Sequence, residues 1–126
     1  MMSKTIQFQE VITAILKEVT PYVYFEIAST PDHYPYVMFE FVELPLDYDR
    51  IPIQLEINVI GTDADTEAMG VMADLIQQKL DHYYYLDENM QFRTYKGNRN
   101  NIKEENVEYI KRQLLFDVSL YERSKK

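Results

Sequence analysis

The chain has 126 residues, 46% of them hydrophobic, and no cysteine, which predicts one domain (1–126) with one core and excludes disulfides, thiolate zinc sites and cysteine nucleophiles. Its net charge of −8 argues against general nucleic-acid binding, which rests on neutralising phosphate. No apolar run approaches the ~20 residues of a membrane span, and the start, MMSKTIQFQE, has no signal-peptide stretch, so a soluble protein used without secretion is expected.

Residues 5–19, TIQFQEVITAILKEV, place Phe8, Val11, Ile12, Ile15, Leu16 and Val19 on one stripe. That spacing is one face of an amphipathic helix, and Pro21 ends it. YVYFEIA (22–28) is rich in β-formers and STPDHYP (29–35) reads as a turn. YVMFEFVEL (36–44) alternates Val37, Phe39 and Phe41 inward. PLDYDRIP (45–52) reads as a loop between prolines. IQLEINVIG (53–61) alternates most clearly, with Ile53, Leu55, Ile57 and Val59 against Gln54, Glu56 and Asn58.

A second helix is predicted over 64–82, striped by Met69, Met72, Ile76 and Leu80. YYYLDENMQ (83–91) turns, QFRTYK (91–96) is a short strand, and GNRNNIKEEN (97–106) reads as an exposed polar loop. YIKRQLLFDVSLYE (109–122) is a long final strand with Leu114, Phe116, Val118 and Leu120 on one face. The order α-β-β-β-α-β-β predicts an α+β fold: a mainly antiparallel, possibly mixed, sheet of four to five strands with two helices on one face.

Asp63, Asp65 and Thr66, after an apolar strand, invite comparison with the Asp-x-Asp-x-Thr of aspartate-nucleophile phosphatases and with calcium loops. The phosphatase pattern fails because Gly61 and Thr62 separate the strand from Asp63, and the helper lysine, the magnesium-binding acidic pair and the larger parallel sheet are not supplied. A calcium loop starting at Asp63 needs Gly at its sixth position and Glu at its twelfth, where this chain has Ala68 and Asp74. The acids are explained by a helix start, with Thr62 or Asp65 as N-cap and negative charge against the positive end of the helix dipole.

His33 and His82 lie in different elements without metal-ligand spacing. Asp47 and Asp49, between prolines, suit a turn, and three glycines cannot build a phosphate cradle. No catalytic, cofactor-binding or metal-binding residue is assigned, and no cofactor. The charge is uneven. Residues 1–92 hold 4 Lys/Arg against 16 Asp/Glu, while residues 93–126 hold 9 against 5. With 11 Tyr and 6 Phe, this layout suits protein partners.

The segment from LEINVIGTDADTEAMG to the final strand resembles the tail-terminator (tail-completion, minor tail) proteins of long-tailed bacteriophages and prophages. It has an alternating strand, an acidic helix start, an amphipathic helix and a short strand. A polar loop with Asn98-Arg99 and a final strand entered through Arg112-Gln113 and ending at Tyr121-Glu122 complete it. The resemblance implies a non-enzymatic structural protein of the virion, assembled in the host cytoplasm. Copies form a ring, usually hexameric, that caps the tail tube and meets the head–tail connector protein, without membrane contact or nucleic-acid sequence recognition. A ring needs two different patches that meet around a closed rotation. The basic candidates are Arg93, Lys96, Arg99, Lys111 and Arg112; the acidic ones are Glu40, Glu43, Asp47, Asp49 and Glu56. Two other phage or non-phage roles stay open: a head-closure protein, and a small adaptor or binding module. An enzyme would need a polar pocket, with Asp47, Asp49 and His33 as its nearest material.

Overall fold

A computed structural model describes residues 4–27, 31, 33–46, 48–103 and 109–122. Helix α1 spans Lys4–Lys17. Strands β1 (Val23–Phe25), β2 (Tyr36–Glu43) and β3 (Arg50–Thr62) follow. A 3₁₀ turn (Asp63–Asp65) leads into α2 (Thr66–Leu80). Strands β4 (Tyr84–Leu86), β5 (Met90–Lys103) and β6 (Tyr109–Glu122) complete the chain. The six strands form one sheet in the order β1-β2-β3-β6-β5-β4. All neighbours are antiparallel except β1 and β2, which run parallel. The class is α+β with a mixed sheet, and it has one strand more than the upper end of the expected range.

Both helices cover one face of this sheet. Phe8 of α1 meets Phe41 of β2 and Phe92 of β5 edge to face, at 5.1 and 5.0 Å between ring centroids. Met69, Ala73, Ile76 and Leu80 of α2 are buried in the same core as Ile53, Leu55, Ile57 and Val59 of β3 and Leu114, Phe116, Val118 and Leu120 of β6. Fully burying side chains of this size stabilises by about 1.5–3 kcal/mol each, so the two central strands and the helix stripes anchor the fold. At Gly61 a Cβ would lie 2.8 Å from Met69 Sδ and 3.0 Å from Asp65 Cβ, so the strand-to-helix turn closes this tightly only without a side chain.

Four expectations are corrected. Among the described residues of YVYFEIA only Val23–Phe25 are strand, paired parallel to Val37–Phe39. Strand β3 begins at Arg50, inside the expected loop. Pro52 is accommodated because its carbonyl, which accepts from Leu44 N at 2.8 Å, faces the side where β2 has ended, and in a strand the missing N–H faces that same side. Tyr84–Leu86 form a hairpin strand against Gln91–Arg93 where only a turn was expected. Finally, 97–103 is not loop but strand: β5 continues to Lys103, paired with β6 through Ile110. Residues 104–106 of the expected loop lie outside the described residues.

The strand is held beyond its apolar part by a bulge. Gly97 and Asn98 fall between the pairs Lys96–Phe116 and Arg99–Leu114, so two residues face Leu115 alone. A Cβ at Gly97 would stand 3.0 Å from the Leu115 carbonyl oxygen, so this close approach of two backbones needs glycine.

Candidate functional site

Strand β3 runs through Thr62, so Asp63 follows it directly and the expected separation by Gly61 and Thr62 is not found. The acidic stretch forms the turn into α2, without the side-chain cap bond expected of Thr62 or Asp65. The Asp65 carboxylate accepts from Thr62 N at 2.8 Å and from Thr62 Oγ1 at 2.9 Å, tying the strand end to the first helical turn. Among the described residues no group of three or more His, Cys, Asp or Glu could hold a metal. His33 stacks on Tyr22 at 3.8 Å and precedes the start of β2. Asp49 precedes the start of β3, which lies at the other end of the β2–β3 pair. The two are therefore kept apart, and Asp47 lies outside the described residues.

The sheet does divide the predicted patches. The strand order puts Glu40 and Glu43 on β2 and Glu56 on β3, with Asp49 in the turn before it. Arg93, Lys96 and Arg99 lie on β5, and Lys111 and Arg112 on β6. The acidic residues thus belong to one half of the sheet and the basic ones to the other.

Within each half the residues do different work. Glu40 and Glu56 are directly opposed across β2 and β3, a like-charge pair tolerated because Asn58 Nδ2 donates to Glu56 Oε2 at 2.8 Å. Glu43 is exposed and lines a groove of ≈ 400 Å³ with Thr5, Ile6 and Gln9 of α1 and Phe25 and Phe41 of the sheet. Arg93 lies 4.8 Å from the Tyr84 ring centre, a cation–π contact. Lys96 uses its backbone N–H, which donates to Asp81 Oδ1 at 3.1 Å, and its side chain stays exposed. Arg99 is occupied within the chain: its Nη1 donates to Asp74 Oδ1 at 2.6 Å and Gln77 Oε1 at 3.1 Å. Lys111 and Arg112 are half-buried in β6, between Ile60 and Ile102 and between Val59 and Asn101.

Two features were not found from the sequence. One is an exposed apolar cluster at the end of β2 and the loop after it: Val42 at 58% exposure, Leu44 at 45%, Leu46 at 70% and Tyr48 at 96%, with Ile27 at 74% after β1. Its signals were Val42 on the outward face of the 36–44 strand and the apolar side chains inside the proline-bounded loop. The other is an open groove of ≈ 570 Å³ between α1 and the β4–β5 hairpin, lined by Glu10, Glu18, Tyr83, Tyr85 and Asp87 among others. There the Tyr85 hydroxyl donates to Asp87 Oδ2 at 2.7 Å, and that bond, with burial, raises the phenol from 10.0 to about 12.

No family model matches the chain, and no curated protein does. Eighteen chains of solved structures do. One of them belongs to a structure titled "Virion of native gene transfer agent (GTA) particle". The chain is similar to it in fold. The TM-score is 0.65 at 15% sequence identity, and the match covers 88% of this chain and 84% of that one. At that identity the likeness is one of architecture, and it spans the helices and the sheet together rather than a single motif.

Proposed function

We propose that this chain is a structural assembly protein of a phage-like virion and, within that class, a tail terminator. In this reading copies form a ring, six-fold by the resemblance, that caps the tail tube and joins it to the head–tail connector. The observation that carries it is the fold shared with a chain of a gene transfer agent virion over 88% of the sequence. The division of the sheet into an acidic and a basic half adds support, because a ring is built from unlike patches that meet. Asp49, Glu43, Glu40 and Glu56 are offered on one side, with Asp47, outside the described residues, assigned to that patch from the sequence alone, and Arg93, Lys96, Lys111 and Arg112 on the other. Arg99, already paired with Asp74, contributes through that pair.

Electron microscopy of particles assembled with this gene deleted tests the reading. Overlong or headless tails are the expected result. Filled heads beside tails of normal length would move the role to head closure. Intact, infective-looking particles would overturn the assembly role and leave an adaptor module in its place.

A further inference from the structure

The two outer strands of the sheet are shorter than the strands they cover. Strand β1 pairs with β2 only at Val37–Phe39. One further bond follows, from Glu26 N to Phe39 O at 2.9 Å, and Glu26 then turns the chain with φ 63. From Glu40 to Glu43, β2 has no described strand on that side. Strand β4 likewise pairs with β5 only at Gln91–Arg93. Thr94 N reaches Tyr83 O, and Lys96 N reaches Asp81. From Gly97 to Lys103, β5 has no described strand on its outer side.

An open edge presents unpaired backbone groups to any passing strand, and proteins commonly guard such edges with charge. Charge alone would fit guarding here. Two observations point the other way. The charges at the two edges are opposite in sign, Glu40 and Glu43 against Lys96 and Lys103. The β2 edge is also bordered by the exposed Val42, Leu44, Leu46 and Ile27, side chains that invite contact rather than repel it.

We infer that the open edge of β2 in one copy adds to the open edge of β5 in a second copy, head to tail, so that the sheet continues across the contact. The inference rests on the proposal that the chain assembles with itself, and it names the surfaces. The topology suits it. Strand β2 is antiparallel to β3, β3 to β6 and β6 to β5, so β2 and β5 run in opposite senses. A second copy in the same orientation therefore meets the first as an antiparallel pair. The faces also agree. Glu43 shares the helix-covered face with Lys96 and Lys103, while Glu40 and Val42 share the open face with Asn100 and Ile102. With Val42 opposite Asn100, continuation of the sheet sets Glu43 opposite Arg99, on the helix-covered face, and Val42 diagonal to Ile102. The two open segments lie toward opposite ends of the strands, so successive copies are staggered. A stagger closes into a ring when the strands tilt against the ring axis, as in a barrel.

The absence of native cysteine gives a clean test. Val42→Cys and Asn100→Cys are made as separate full-length variants, oxidised singly and as an equimolar mixture, while sedimentation of the unmodified chain reads self-association independently of the surface used. Moving the second thiol to Asn98 or Ile102 covers the neighbouring registers. The expected result is a self-associating chain, a disulfide-linked heterodimer in the mixture, and at least tenfold less dimer from either variant alone. A dimer from Asn100→Cys alone would mean β5 meeting β5 and would overturn the inference. Self-association with no heterodimer in any register would also overturn it, while leaving the ring reading intact. A chain that stays monomeric at its highest soluble concentration overturns the edge contact in the free protein, and the deletion experiment then decides the ring reading separately.

Discussion

The two halves of β5 share a strand, a partner and a face, yet they sit in different surroundings. Met90, Phe92 and Thr94 are fully buried, while Lys96, Arg99, Asn101 and Lys103, on the same face, are exposed. The first half is covered. Phe8 and Tyr85 pack on Phe92 at 5.0 and 5.1 Å, and the Thr94 hydroxyl donates to the Leu80 carbonyl at the end of α2. The second half meets polar groups instead: Asp74 and Gln77 on the flank of α2, through Arg99, and Asp63 of the preceding turn, 3.9 Å from Lys103. Both halves are extended because β6 is. Its Ile110, Leu114, Phe116, Val118 and Leu120 are buried along its whole length, and they hold a template to which even GNRNNIK can pair. Burial makes one half stable. The other half is strand by pairing on one side, with no described strand on its second side.

The largest expected effect lies in the covered half. Phe92→Ala removes a fully buried ring and should cost about 3–5 kcal/mol, read as a lower urea midpoint. A loss under about 1 kcal/mol would mean that the cover over β5 is loose and the contrast between its halves weaker than the packing indicates. The joint between the halves comes next. Gly97→Ala sets a Cβ 3.0 Å from a backbone oxygen, which cannot swing aside, so a loss of about 1–3 kcal/mol is expected. Hydrogen exchange of 98–103 should quicken in that variant while 90–94 stays protected.

The same contrast explains what could be read from the sequence. Helices α1 and α2 and strands β2 and β6 each carry their own apolar period, and their positions were legible; β6 matches its expected bounds, Tyr109–Glu122. The second half of β5 has no period of its own, since its conformation is imposed by β6, and polar residues with a glycine read as loop. Tyr84–Leu86 are too few to show alternation. Pro52 reads as a break because the sequence does not say which side of the strand lacks a neighbour. At the candidate site, the separation of charge between the chain's two parts was legible. The pairing of Arg99 with Asp74, 25 residues earlier, was not, because it depends on where α2 crosses the sheet.

In the uncovered half the expected effects on stability are small. The Arg99–Asp74 pair has side chains 31% and 72% exposed, and exposed pairs contribute roughly 0–1 kcal/mol. Arg99→Ala should therefore shift the urea midpoint only slightly, and the shift should shrink further at high salt. A large, salt-independent loss would show that the pair is desolvated and that this half is also part of the folded core.

The last prediction uses alkaline pH to probe the cover itself. Tyr85 packs on Phe92, and its hydroxyl donates to Asp87. That bond first, and burial second, raise its pKa from 10.0 to about 12. A raised phenol pKa means that the fold favours the neutral form. Its contribution is therefore complete below pH 10 and is lost as pH rises toward about 12, because the unfolded chain ionises first. Tyr34, raised to about 12 chiefly by its bond with Tyr109, titrates in the same window at the far end of β6, so the unmodified chain reports both ends together. Tyr85→Phe removes one of them. The variant should be slightly less stable at neutral pH, where it lacks the bond to Asp87, and should lose less stability between pH 10 and 12 than the unmodified chain. Identical alkaline losses in the two proteins would place the whole effect at the other raised phenols, Tyr34, Tyr36 and Tyr83, and Tyr85 would then be packed on Phe92 without its hydroxyl being held.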